Sequence, residues 1–134
     1  MRFYIRINTV NLQIVAVNDA PVATFVSKQY GTENGGTING QLTATDIELS
    51  RSESSGATLS YSASGAAVDG VTINSDGSYA FDTSHNTYNY LALGQTLDVD
   101  VDYRVSDDLG LTNDNTFTIT CGTIYPITFI YIFA

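Results

Sequence analysis

Apolar and polar residues alternate along much of the chain, and this alternation is its main structural signal. From residue 96 to residue 106 an apolar residue stands at every second position, between acids, Arg and hydroxyl residues. That pattern is typical of a strand with one face in the core and one face in water. The same period predicts five further strands, over residues 40–45, 58–63, 70–73, 78–82 and 112–120.

The segments between these runs are rich in Gly, Asn, Asp and Ser, which favour turns. Residues 74–78, Asn-Ser-Asp-Gly-Ser, predict a tight hairpin in which Gly77 is free to take a positive φ. A single helical turn is expected, over residues 88–93. Short, evenly spaced strands of this kind predict an all-β fold, an antiparallel β-sandwich of about seven strands.

A weak internal repeat relates the two ends of the chain. Residues 12–22 align with residues 117–127, and Pro126 stands 105 positions after Pro21. The repeat predicts that residues 1–17 are the last strand of a preceding unit or a donor strand, and that 18–122 form one complete sandwich. Residues 123–134 are then a degenerate linker and an apolar C-terminal strand.

Charge and cysteine content narrow the possible partners. The chain has 14 acidic and 5 basic side chains, a net charge of -9, which opposes binding to nucleic acid and to anionic membranes. Its single cysteine, Cys121, excludes a disulfide framework and a thiolate zinc cluster. Arg2 and Arg6 are followed by polar residues instead of a continuous apolar run, so no export signal is visible.

Four motifs occur in a characteristic order: Asn-Asp-Ala-Pro at 18–21, Gly-Gln-Leu-Thr-Ala-Thr-Asp at 40–46, Val-Thr-Ile-Asn-Ser-Asp-Gly-Ser-Tyr at 71–79, and Tyr-Arg-Val-Ser-Asp-Asp-Leu-Gly at 103–110. In these motifs the chain resembles the bacterial VCBS-repeat domains, part of the wider cadherin-like group, over about residues 17–121. The resemblance implies a cadherin-like (Ig-like, Greek-key) sandwich, repeated in tandem in large secreted or cell-surface proteins, often adhesins. It also implies calcium at the domain junctions and neighbouring copies of similar domains as partners.

The resemblance implies calcium ligands at the N-terminal end of the sandwich, on three acidic loops. The ligands it implies are Asn18, Asp19, Asp46, Glu48 and Asp107. Calcium binds six to eight oxygens, and carboxylates on separate loops can supply them. In an extended chain Asp46 and Glu48 point the same way while Ile47 points to the core. The alternative is that these are solvated loop acids.

Glu33 matches the cadherin glutamate that faces the opposite end of the domain, and it is a weak second half-site. Thr123 and Ile124 stand where Asn18 and Asp19 would recur, so the oxygen ligands of that second site are missing. Glu33 is then an ordinary turn residue.

Several other polar and aromatic residues could have a function, but each also has a structural explanation. Asp98, Asp100 and Asp102 share one strand face, where charge discourages edge pairing. His85, the only histidine, lies in a polar loop, and there is no G-x-S-x-G turn or phosphate loop, so no enzyme is predicted. Three tyrosines are candidates either for sugar stacking or for packing. They are Tyr79, Tyr88 and Tyr90.

These observations predict a non-enzymatic extracellular structural or adhesion module, secreted or on the bacterial cell surface, and stabilised by calcium at its N-terminal end. Two alternatives stay open: a filament or homo-oligomer joined by strand donation from the terminal segments, and a glycan-binding module. A truncated fragment with exposed ends also fits the terminal segments. No insertion into a membrane is expected.

Overall fold

The computed structural model describes residues 1–15, 17–49 and 57–123. Nine strands lie within these ranges, and one short 3-10 turn spans Asn86–Tyr88. The strands are β1 (Val22–Ala23), β2 (Gln29–Thr32), β3 (Thr37–Gln41), β4 (Ala44–Thr45), β5 (Leu59–Ala63), β6 (Val71–Ile73), β7 (Ser78–Asp82), β8 (Thr96–Asp107) and β9 (Thr112–Gly122).

The strands form two facing layers. One layer is a four-stranded sheet in the order β2-β9-β8-β5. The other holds a three-stranded sheet, β3-β7-β6, and the two-stranded pair β1-β4. Between β3 and β4, Leu42 N donates to Gly77 O in the β6–β7 turn, and a bond from Thr24 N to Thr43 O continues the β1–β4 pairing. All pairings are antiparallel except that of β2 with β9. The predicted all-β, Ig-like sandwich is confirmed.

The core lies between the layers and is built by the alternation itself. On β8, Val99, Val101, Tyr103 and Val105 are buried while the residues between them face outward. The inner residues of β9 and β7 complete the core from both layers, together with Leu42 and Tyr88. They are Phe117, Ile119, Cys121, Tyr79 and Phe81.

The structure corrects the expected elements in three places. The strand expected at 40–45 starts earlier and is interrupted at Leu42 and Thr43, where Leu42 turns into the core with 1% of its surface exposed. The short strands β1 and β2 were not predicted, because neither has an alternating pattern. The helical turn lies at 86–88 and not at 88–93, because the His85 side chain accepts the N–H of Thr87 and caps the turn there.

Two glycines matter for this fold. Gly77 has a φ of 85°, as the predicted hairpin between β6 and β7 requires. Gly40 lies under the Tyr79 ring, and a Cβ at this position would stand only 2.3 Å from the ring carbon Cζ. A side chain at residue 40 would therefore displace a core aromatic.

The described residues of the N-terminal segment, 1–15 and 17, belong to no strand and are all exposed. The prediction that residues 1–17 are a donor strand or the strand of a preceding unit stays a prediction. The apolar C-terminal strand expected within 123–134 lies outside the described residues, except for Thr123.

Candidate functional site

Three loops meet at one end of the sandwich, which we call the N-terminal pole: residues 18–22, 45–49 and 107–111. Asp107 ends β8, and its Oδ1 accepts hydrogen bonds from the backbone N–H groups of Leu109 (3.0 Å) and Leu111 (2.8 Å). Its Oδ2 accepts a hydrogen bond from the Asn18 side-chain amide at 2.5 Å. Asp107 therefore closes the β8–β9 turn and ties the chain entering the domain to it.

The pKa of Asp107 reflects this hydrogen bonding. Burial raises the pKa, but the amide of Asn18 and the backbone N–H groups of Leu111, Leu109 and Gly110 together outweigh burial, and the pKa lies below its ordinary value. The carboxylate is therefore the stable form of this side chain in the folded protein.

Asp46 and Glu48 form a second acidic pair at the pole. Asp46 is 8% exposed, and its Oδ1 accepts the backbone N–H of Glu48 at 2.9 Å. This bond folds residues 46–48 into a turn. The expectation that Ile47 points to the core is wrong: Ile47 is 48% exposed and Asp46 takes the inner position, because the chain is not extended here.

The carboxyl group of Glu48 is held in an unusual environment. A hydrogen bond with the Asp46 carboxyl raises its pKa, burial raises it further, and backbone N–H groups, including that of Asp19, only partly oppose the rise. One oxygen, Oε2, is buried and has no hydrogen-bond partner among the described residues. Such an atom is costly to bury without a partner.

The N-terminal pole contains the five residues named as calcium ligands, Asn18, Asp19, Asp46, Glu48 and Asp107, and their role as ligands stays a prediction. Asn18 contacts Asp107, and the backbone N–H of the next residue, Asp19, faces the carboxyl group of Glu48. The two acidic groups are thus connected through consecutive residues. Within the described ranges, however, no three Asp, Glu, His or Cys side chains are grouped so that they could hold a metal ion.

Glu33 lies at the opposite end of the sandwich. Its backbone N–H donates to Gly122 O at 2.9 Å, beside the end of β9. Thr123, the counterpart of Asn18 in the repeat, is held by its own loop, where its hydroxyl accepts the N–H of Gly94 and donates to Ala92 O.

Asp98, Asp100 and Asp102 of β8, which we call the Asp stripe, face outward as predicted. Their hydrogen bonds to β9 were not predicted from the sequence. Each Asp accepts a hydrogen bond from the threonine directly opposite on β9, and these contacts are Thr120 to Asp98 (2.6 Å), Thr118 to Asp100 (2.7 Å) and Thr116 to Asp102 (2.6 Å). The alternating threonines of 112–120 were visible in the sequence, but the register that aligns them with the acids was not.

The aromatic and histidine candidates have structural roles. Tyr79 and Tyr88 are each only 3% exposed, so packing explains both, while Tyr90 is exposed. The three rings therefore do not form a common sugar-stacking surface. His85 lies in a loop as expected, and its Nδ1 lies 3.0 Å from Thr87 Oγ1 at the start of the 3-10 turn.

Residues 18–120 match the family model of the bacterial Ig domain. The chain belongs to the bacterial Ig domain family. Such domains are usually found on extracellular or surface proteins and are typically not catalytic, so this domain is a module of the extracellular surface type. No curated protein is similar enough to the chain to count as a match. In the described part of the chain, no helix has the length and hydrophobicity needed to cross a membrane.

Proposed function

We propose that this bacterial Ig domain is a structural or adhesive repeat of the VCBS, cadherin-like type, and that calcium bound at its N-terminal pole stabilises it. The observation that carries the proposal is the buried, unpartnered Oε2 of Glu48 beside the Asp46 carboxyl. The Asp46 carboxyl and burial disfavour the charged form of Glu48, and its Oε2 has no hydrogen-bond partner among the described residues. A divalent cation would relieve both conditions.

The donor set fits calcium by its chemistry. Calcium prefers carboxylate and amide oxygens, and the residues that would hold it are Asn18, Asp19, Asp46, Glu48 and Asp107. When bound, the ion would supply positive charge between loops that otherwise repel. Asp107 and Asn18 already hold the linker to the β8–β9 turn, so a bound ion would stiffen an existing contact between the incoming chain and the sandwich.

Glu48→Gln separates this proposal from a purely structural role of the pole. In a chelator, the variant should melt at the same temperature as the parent or higher, because a neutral amide removes the repulsion from Asp46. Calcium at about ten times its Kd adds about 1.4 kcal/mol to the parent, roughly a 5 °C rise in Tm, and this rise should be absent in Glu48→Gln. Thermal melts with and without calcium measure both effects.

Glu33→Gln is the matched control, since it removes one carboxylate at the opposite pole and should keep the full calcium response. A parent protein whose Tm is the same in calcium and in chelator rules out the calcium proposal. The finding that the chain is a bacterial Ig domain would be unaffected by that result.

Of the other functions open from the sequence, glycan binding loses its main support, because two of its three tyrosines are core residues. Assembly with other copies keeps its support, because the described residues of 1–17 are exposed and belong to no strand of their own chain.

A further inference from the structure

The N-terminal segment, residues 1–17, exposes a large apolar surface. Ten of its described residues are large and apolar, and each is at least 71% exposed. They are Met1, Phe3, Tyr4, Ile5, Ile7, Val10, Leu12, Ile14, Val15 and Val17. At roughly 100 Å² of apolar surface per side chain, the segment presents about 1,000 Å² to water. A stable interface needs about 800 Å² from each partner, so this segment alone can supply one side of one.

Charge is divided between this segment and the rest of the chain. The segment contains Arg2 and Arg6 and no acid, whereas residues 18–134 contain all 14 acidic side chains and only three cations. A basic, apolar segment is complementary to an acidic, apolar surface. Every copy of the chain therefore carries both a basic, apolar segment and an acidic domain that could bind such a segment of another copy.

The N-terminal pole of the domain combines acids with exposed apolar side chains. Val22, Leu109 and Leu111 are 60%, 71% and 41% exposed. Val22 pairs with Thr45, the neighbour of Asp46, and both leucines follow Asp107, whose carboxylate they cap through their N–H groups. These apolar groups thus border the acidic residues of the pole.

We propose that the N-terminal segment of one copy binds the N-terminal pole of a second copy, and that the contact is reciprocal. The segment does not cover its own pole: the apolar side chains before Asn18 are exposed, and so are Val22 and Leu109 at the pole. Both segments leave from the pole that receives the other. The contact therefore closes as a twofold dimer and does not propagate as a filament.

The test is the mass of the full chain in solution, measured by light scattering over a range of concentrations in a chelator. The chelator makes the result independent of the calcium proposal. The expected mass is twice the 14.4 kDa of one chain. Arg2→Glu combined with Arg6→Glu should weaken the dimer at least about tenfold, because repulsion replaces attraction at the pole. Ile5→Ser combined with Ile7→Ser should weaken it similarly through lost apolar contact.

Lys28→Glu combined with Arg104→Glu is the matched control. It changes the net charge by the same amount, but it alters two exposed ion pairs on the body of the domain, with Asp98 and Asp114. This control should dimerise like the parent. A full chain that is monomeric at all concentrations overturns the proposal, as does a dimer indifferent to both segment variants. A ladder of larger species also overturns it, and points to head-to-tail strand donation.

Discussion

Replacing Phe117 with alanine is expected to lower the free energy of unfolding by about 3–5 kcal/mol. Phe117 is 2% exposed, and its ring lies between the two layers, 4.6 Å from the Tyr79 ring centroid and 6.0 Å from that of Tyr103. Alanine would leave a cavity that Tyr79 on β7 and Tyr103 on β8 are held too firmly by their strands to fill. Chemical denaturation monitored by tyrosine fluorescence or circular dichroism measures the change.

Phe25→Ala is the matched control for this prediction. Phe25 is 85% exposed, so the same truncation should change the free energy of unfolding by no more than about 0.5 kcal/mol. Equal effects of the two substitutions would mean that Phe117 does not join the two layers as described. Because domains of this size are stable by about 5–15 kcal/mol, the Phe117 variant would lose a large part of its stability.

Replacing Asp107 with alanine is expected to lower Tm by at least about 5 °C. The substitution removes the acceptor for the N–H groups of Leu109 and Leu111 and for the Asn18 amide. The β8–β9 turn and the entering chain would then lose their common anchor. Amide exchange gives a local measurement. In the variant, the amide protons of Leu109 and Leu111 should exchange faster than in the parent, and the increase should be larger than for amide protons in the middle of β8. Unchanged exchange at these two positions would contradict the role given to Asp107.

Asp107→Asn tests the electrostatic part of the same contact. The pKa of Asp107 is depressed below its ordinary 3.8, so its contribution is fully present above about pH 4 and is lost as pH falls through the folded-state pKa. The Asn variant should therefore lose less stability than the parent between pH 4 and lower pH. Some acid dependence should remain, because hydrogen bonds or an opposite charge also depress the pKa of Asp76, Asp98 and Asp114. If the stability of the Asn variant falls with pH below about pH 4 as steeply as that of the parent, the Asp107 carboxylate is not stabilised by folding.

Strand prediction succeeded for strands that have one face in the core and one face in solvent, because apolar residues then recur at every second position. The strands β5 to β9 lie close to their expected positions, and β7 matches its expected range at both ends, because burial of every second residue is a local property of the sequence. The strands β1 and β2 have no such signal. They exist because Val22 and Ala23 pair with β4 and residues 29–32 pair with β9, contacts that span long distances in sequence.

The sequence named the residues of the candidate site, whose role as ligands stays a prediction, but it did not predict the contacts that these residues make. Family resemblance identified Asn18, Asp46 and Asp107 among the polar loop residues. It did not reveal that Asp107 serves its own turn, nor that Asp46 bends the chain and leaves Ile47 outside. Such bonds depend on how loops from different strands meet, which a local pattern does not encode.

The sequence by itself therefore determined the all-β class, the main strands, the outward Asp stripe and the division of charge between the N-terminal segment and the domain. These properties follow from composition and from a period of two residues. Only the tertiary structure decided the partners of each group: the threonines that face the Asp stripe, the tyrosines that are buried, and the Glu48 oxygen that has no hydrogen-bond partner within the described ranges. The physical reason is that hydrogen bonding and burial are set by the register between strands far apart in the chain.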